Sequence, residues 1–405
     1  MMSGLFGLRI LHWGPLLGLL IIKCNTITTL YMTNMWLPMT SSLIGLVNHL
    51  IFLSLVGLTL YHFFCAIFLG PGQVPPGWKP KDPTDTKFLQ FCSICQSYKC
   101  PRAHHCRTCN KCILKMDHHC PWINNCVGLR NHLNFTLFLL SAVLGGFHSA
   151  LLLSIAIYRG YHATWYFYHE GSDSVVLLTF TSFLFSVFSI GLAIGVIIAV
   201  GGLFYVQMKI ILNNRTSIED WIVIKAESRH RSEEFIYPYD LGYWNNFMQV
   251  FRKSKSLDGI DWPLREGCHQ YTLTYEQILQ KMEKRSRARN YKVVNCYNGN
   301  WFPLFTQGWR TCIKFPFSDE ARISLDVNDE VTVTRWKKHW LYGEKTHPVK
   351  LGTIKPRGWF PRRCVVEMVQ DLNQPRAEPL FEKVKNLQDL QRNSGDKLVN
   401  RKIQR

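Results

Sequence analysis

Acidic side chains are the scarce class in this sequence. Asp and Glu number 28 against 47 Lys and Arg, and the formal charge of +19 points to anionic partners: nucleic acid, an acidic membrane face, or a polyphosphate-bearing ligand such as coenzyme A. Charge of either sign is missing altogether from three long stretches, residues 43 to 69, 135 to 158 and 175 to 206. The near-zero mean hydropathy, which would suit a soluble protein, therefore averages over strong segregation. Cysteine is thin outside one short region: more than half of the 14 cysteines lie between Cys92 and Cys126, among paired histidines. That crowding excludes a disulfide framework spread along the chain and favours metal and thiol chemistry in a reducing compartment. With 405 residues there is room for more than one folded unit.

Each of the three uncharged stretches exceeds the roughly 20 residues that cross a hydrocarbon core, and each is predicted to be a spanning helix. A fourth candidate, about residues 11 to 31, is interrupted by Lys23 and the polar run Cys-Asn-Thr-Ile-Thr-Thr. No small-residue cleavage site follows it, so it is read as a retained first span and not as a signal peptide. Nine Lys and Arg fall within residues 70 to 134, whereas 32 to 42 and 159 to 174 together hold only Arg159. The positive-inside rule then places both termini and the cysteine-rich stretch in the cytosol. Asn48, His49, His62 and His148 lie within the spans and are expected to bond to neighbouring helices, with no catalytic role.

Cys92-x-x-Cys95 is followed by His104-His105-Cys106-x-x-Cys109-x-x-Cys112, then Asp117-His118-His119-Cys120 and Cys126. Repeated C-x-x-C pairs with adjacent histidines supply soft ligands at spacings that suit tetrahedral zinc. Two Cys3His sites are expected: Cys92, Cys95, His105 and Cys112, and Cys106, Cys109, His119 and Cys126. Four protein ligands each would make both structural, with no open position for a water. Cys120 then remains beside His118 and Asp117, the residue set of an activated thiol: nucleophile, imidazole base, and carboxylate to orient the imidazole. The plainer alternative is that these residues merely complete a zinc site. Cys100 has no place in either set and is read as incidental or structural. Lys99, Arg102, Lys111 and Lys115 are read as coenzyme A or headgroup contacts, or more simply as solvated charges.

Asp117-His118-His119-Cys120, followed by Pro121-Trp122 and Asn124-Asn125-Cys126 and set between spans two and three, resembles the DHHC palmitoyltransferase family over roughly residues 10 to 255. The resemblance implies four spans, two structural zinc ions, palmitoyl-CoA as donor, and acylation of Cys120 before ping-pong transfer to cysteines of substrate proteins, among them membrane proteins. Departures are Gly70-Pro71-Gly72 where the family commonly has Asp-Pro-Gly, and Thr216-Ser217-Ile218-Glu219 with one Thr of Thr-Thr-x-Glu replaced. Gly242, Asn246 and Phe247 resemble its C-terminal Asn-aromatic motif. A catalytically silent membrane scaffold and a nucleic-acid-binding zinc module are the competing classes. Placement of the cluster at a bilayer argues against nucleic acid.

The remainder is divided into a cytosolic juxtamembrane segment (213–288), a small all-β domain (289–368) and a polar tail (369–405) expected to be disordered. The first three divisions are 1–69, 70–134 and 135–212. In the juxtamembrane segment the aromatics of 239 to 251 are expected at the membrane interface or capping the zinc region. Ile323 to Trp336, Trp340-Leu341-Tyr342-Gly343 and Gly358-Trp359-Phe360-Pro361 resemble an SH3 domain, although the early Tyr-rich motif near Tyr291 to Tyr297 is poorly matched and Cys364 stands where an aromatic is usual. A protein partner is expected on such a domain, but ordinary proline-rich binding is not. The combination resembles the SH3-bearing endoplasmic-reticulum branch of the family. The fold class expected is therefore an α-helical polytopic membrane protein with four transmembrane helices, a cytosolic zinc-binding cysteine-rich domain and an SH3-like end. Cys296, Cys312 and Cys364 are noted as acyl acceptors that could regulate it.

Overall fold

The uncharged runs fold into long helices because a backbone without water must pair its own N–H and C=O groups. The computed structural model describes residues 9–171, 175–229, 235–252, 258–318, 320–346 and 355–368. The polar tail and its terminal basic residues, Arg401 and Lys402, lie outside them. Among the described residues four helices are long and apolar enough to cross a membrane: α1 (Trp13–Trp36), α2 (Leu43–Phe68), α3 (His132–Tyr161) and α5 (Phe180–Leu212). A short helix α4 (Ala163–Glu170) follows α3.

The fourth span begins five residues later than its uncharged run. Thr179 caps it by accepting from the Ser182 amide, while Val176 is buried in extended chain before it. It also ends later, since Gln207 is buried and hydrogen-bonded. α3 packs along α2 and α5, and α1 lies against α3 and α5. Polar groups join neighbouring helices: Thr29 to Ser149 (2.7 Å), His62 to Asn134 (3.1 Å) and His148 to Asn48 (3.1 Å). His49 instead bonds Gly45 O one turn back in its own helix. Lys23 lines a crevice of about 500 Å³ between α1 and α5, in company with Thr28, Tyr31, Thr179 and Ser182.

Between α2 and α3 the chain forms three small antiparallel hairpins: β1 (Phe91–Cys92) with β2 (Ser97–Tyr98), β3 (His104–Cys106) with β4 (Lys111–Ile113), and β5 (His118–Cys120) with β6 (Asn125–Val127). After α5 come α6 (Ser217–Glu227), α7 (Tyr243–Phe251) and α8 (Thr272–Ser286), so the juxtamembrane segment is more regular than its sequence suggests. Its aromatics differ in burial. Tyr239 is buried beneath the cysteine-rich hairpins against Arg102, whereas Tyr243 and Trp244 are exposed.

The chain separates into two compact units, Met1–Glu276 and Gln277–Arg405. The second contains β7 (Arg289–Val293), short helices α9 (Leu304–Gln307) and α10 (Trp309–Ile313), and strands β8 (Glu330–Trp336), β9 (Trp340–Lys345), β10 (Arg357–Pro361) and β11 (Val365–Glu367). These strands form one antiparallel sheet in the order β10-β9-β8-β7-β11, with an irregular register between Val333 and Arg335. Its core is aromatic, with Tyr291, Tyr297, Trp340, Trp359 and Phe360 buried. Cys364 is fully buried in that core, and burial pushes its thiol up to about 12.

Candidate active site and metal clusters

The three hairpins share one turn. Each has a residue with positive φ just before its second strand: Gln96 (49°), Asn110 (53°) and Asn124 (44°). In the first two, the turn follows a C-x-x-C pair and folds both thiols to one side. The Cys95 amide donates to Cys92 Sγ (3.4 Å), and the Cys109 amide to Cys106 Sγ (3.3 Å). In the third hairpin Ile123 stands where Cys95 and Cys109 stand in the others. Cys120 therefore occupies the first position of a knuckle whose second thiol is missing, and Ile123 is fully buried in apolar packing instead.

Cys92, Cys95, His105 and Cys112 converge as one cluster, and Cys106, Cys109, His119 and Cys126 as another. In each, the donor atoms lie within 4.8 Å of one another. His105 Nδ1 is 3.5, 3.3 and 3.8 Å from the sulfurs of Cys92, Cys95 and Cys112. His119 Nδ1 is 3.7, 3.4 and 3.7 Å from those of Cys106, Cys109 and Cys126. A tetrahedral ion with zinc-like bond lengths requires S···N edges of about 3.6 Å. Donor set and spacing both fit a closed, four-coordinate metal. Each cluster draws its histidine and last cysteine from the hairpin after the one that supplies its C-x-x-C pair, so the hairpins are linked in series.

Side chains alternate across a strand, and on β5 this separates two adjacent histidines. His119 turns toward the second cluster, paired across the strands with Cys126, while His118 and Cys120 share the opposite face. His118 Nδ1 bonds Asp117 Oδ2 at 2.8 Å. Asp117 is buried, and two further donors satisfy its carboxylate: Gln207 Nε2 on Oδ2 (2.9 Å) and the Ser217 amide on Oδ1 (2.7 Å). Gln207 is itself held through Oε1 by His132 Nε2 (2.9 Å). Burial would raise the Asp117 carboxyl, but the hydrogen bond and charge of His118 and these donors hold it well below its ordinary range. Burial would likewise lower His118; the bonds to Asp117 and to Cys120 outweigh it and hold the imidazole up at about 9.

Cys120 itself is 3% exposed and faces an apolar wall of Phe63, Ile67, Phe135 and Leu139, flanked by Leu19 and Val200. All four long helices contribute to that wall. The hairpin is fixed to the helix ends by polar side chains. Asn125 Nδ2 serves the carbonyls of Ala66, Ile67 and Leu69 at the end of α2 (3.1, 3.2 and 3.1 Å), and Asn131 Nδ2 serves Ala66 and Cys126. At α1, a Cβ on Gly14 would meet Pro121 O at 2.1 Å, so only glycine permits this approach.

Two of the basic residues read as surface or phosphate contacts are neither. Arg102 is fully buried and forks onto Glu219, Nε to Oε1 at 2.7 Å and Nη2 to Oε2 at 2.8 Å, between the rings of Tyr239 and Trp262. Lys115 is buried over Trp262, and burial first, then the charge of Arg102, lower it to about 7. Lys111 is exposed and Lys99 half-buried. Cys100 is buried, with its thiol raised to about 12, in keeping with a structural role. The Thr-to-Ser departure at position 217 costs no contact, because Ser217 acts through its backbone and Thr216 with Glu219 completes a capping box on α6.

Comparison with known proteins agrees with this geometry. The family model for DHHC palmitoyltransferase matches residues 85–223. The chain is 43% identical over 389 residues to Palmitoyltransferase ZDHHC6 of Bos taurus, covering 91% of this chain and 94% of that one. It is likewise 43% identical over 390 residues to that of Homo sapiens, with the same coverage. Similarity to Probable protein S-acyltransferase 16 of Arabidopsis thaliana is 33% over 229 residues, 53% of this chain and 76% of that one. A full-length likeness of that order, added to the Asp-His-His-Cys strand and its flanking clusters, means that the chain belongs to the DHHC family of protein palmitoyltransferases.

Proposed function

We propose that Cys120 carries the acyl group, with His118 as its proton acceptor and Asp117 as the group that orients His118. The observation that supports this most is the shared face of β5: His118 and Cys120 project together, and Asp117 holds Nδ1 so that Nε2 faces the thiol, where the raised imidazole keeps the proton it takes from Cys120. His118 takes the proton from Cys120 Sγ, and the thiolate adds to the thioester carbonyl of palmitoyl-CoA. The carbon–sulfur bond to coenzyme A then breaks, and the departing thiolate recovers the proton from His118. In the second half His118 takes the proton of a substrate cysteine thiol, that thiolate attacks acyl-Cys120, the bond from the acyl carbon to Cys120 Sγ breaks, and the Cys120 thiolate recovers the proton from His118. The apolar wall beside Cys120 accounts for an acyl chain held among the helices while the nucleotide head stays in water. In the absence of any protein substrate, rapid mixing with palmitoyl-CoA should release coenzyme A in a burst equal to the enzyme present. A burst of unchanged size from Cys120→Ser would refute the assignment.

We assign a structural Zn²⁺ to each Cys3His set, since soft thiolates with one imidazole favour it and four protein ligands leave no site for a reacting water. The metal would fix the hairpins and supply no chemistry to the transfer. We place the cysteine-rich stretch and both termini in the cytosol from the charge of residues 70 to 134, and the enzyme in the endoplasmic-reticulum membrane from its resemblance to that branch. The domain divisions at 69, 134, 212, 288 and 368 are retained as the functional map. The antiparallel sheet of the second unit supports an SH3-like assignment. Tyr291, Tyr297, Tyr342 and Trp359 are buried, which speaks against a proline-rich ligand stacking on them. Cys296 is exposed and Cys312 half-buried, so these two, and not buried Cys364, suit acylation as native protein.

A further inference from the structure

Residues 301 to 317 of the second unit read Trp-Phe-Pro-Leu-Phe-Thr-Gln-Gly-Trp-Arg-Thr-Cys-Ile-Lys-Phe-Pro-Phe, with two cations and no Asp or Glu. Apolar side chains there would be expected to turn inward, yet apart from Phe315, which packs on the core, and the buried Pro303 and Pro316, most do the reverse. Phe305 is 100% exposed, Phe317 87%, Phe302 68%, Ile313 66% and Trp309 60%. The residues buried in the segment include two polar ones, Gln307 and Thr311. Trp340 Nε1 donates to Thr311 O (2.9 Å), which ties α10 to the sheet, and Thr311 Oγ1 donates to Gln307 O (3.0 Å), which ties α10 to α9. The aromatic face is thus presented by an anchored element, and exposed apolar surface of this extent marks an interaction site.

Cations lie beside it. Arg310 and Lys314 come from α10 and its end, and Lys338 and Arg363 join them around His339, whose pKa is lowered by desolvation and then by the charges of all four. Large aromatics interleaved with Lys and Arg are the composition of elements that lie at the level of lipid headgroups. The four spans also place everything after α5 on the same side of the membrane as the cysteine-rich hairpins, since two spans separate those segments. The unit is therefore tethered beside a lipid surface.

We propose that the 301–317 face docks on the bilayer that the chain itself spans, with Phe302, Phe305, Trp309, Ile313 and Phe317 entering the headgroup boundary and Arg310 and Lys314 pairing with anionic phospholipid. Docking by apolar insertion and charge together would hold the second unit against the membrane.

The test uses the full chain in nanodiscs of phosphatidylcholine and phosphatidylserine, with the photocrosslinker p-benzoylphenylalanine placed at Phe305, at Phe317 or, as a control elsewhere in the unit, at the exposed Val327. After irradiation, mass spectrometry should find phospholipid on the peptides containing positions 305 and 317 at yields at least tenfold above position 327. The pair Arg310→Glu and Lys314→Glu should lower those yields severalfold while acylation by palmitoyl-CoA, which reports a folded enzyme, is retained. Adducts from 305 and 317 to a second copy of the chain, or lipid yields no higher than at 327 in protein that still acylates, would overturn the proposal.

Discussion

At Asp117 three stretches of chain meet: the hairpin that carries it, Gln207 near the end of the fourth span, and the Ser217 amide that opens α6. That convergence leaves the carboxylate one free task, to hold His118. The consequence is a pH dependence with a definite sign. His118 is raised from about 6.5 to about 9, so the stability its imidazolium contributes is fully present below pH 6.5 and is lost as pH rises through about 9. The melting temperature of wild type minus that of His118→Gln should accordingly shrink across that window. In Asp117→Asn the same difference should flatten, and the acylation rate should fall by roughly 10²- to 10⁴-fold, the range for losing the orienting partner of a catalytic imidazole. A difference that grew with pH would contradict the pairing. The grouping of Cys120, His118 and Asp117 was legible in the sequence because they lie within four residues of one another. Gln207 and the Ser217 amide were not, lying 90 and 100 residues away with no local pattern to mark them.

Among the elements, the three hairpins explain why one cysteine differs from its neighbours. His-His-Cys-x-x-Cys-Asn-x-Cys over 104 to 112 reappears over 118 to 126 with Ile123 in place of the second thiol. This repeat is visible in the sequence once the shared turn is known, whereas counting ligands alone reaches the spare thiol without its reason. The two metal sets were readable because metal spacing is a local constraint. Arg102 was misread for the opposite cause: its partner Glu219 is 117 residues distant, and a lone Arg in a basic loop carries no sign of burial. Arg102 joins the hairpins to α6, and this too can be measured. Arg102→Met leaves Glu219 buried without its partner and should cost about 3–5 kcal/mol. The double variant with Glu219→Gln should cost less than that single change, as read by denaturation with zinc content followed in parallel. Equal stability of wild type and Arg102→Met would show that the pair carries no weight.

Across the molecule, four apolar helices form a wall that meets the thiol on one side, and the hairpins carry it from the other. Three of the spans were legible from uncharged length alone, within a few residues at each end, whereas the first, which contains Lys23, was read from the lack of a cleavage site. Their limits shifted where a capping Thr179 or a buried Gln207 moved the boundary. The five-stranded order of the second unit, and the outward aromatic face beside it, depend on pairing between distant segments and could not be read from alternation of residues. The account as a whole stands on Cys120 as the acyl carrier. Purified protein, with its zinc content measured, should be incubated with a clickable palmitoyl-CoA analogue alongside Cys120→Ser. Hydroxylamine-sensitive labelling present in wild type and absent from the zinc-replete variant is the expected result; equal labelling of the two would contradict it.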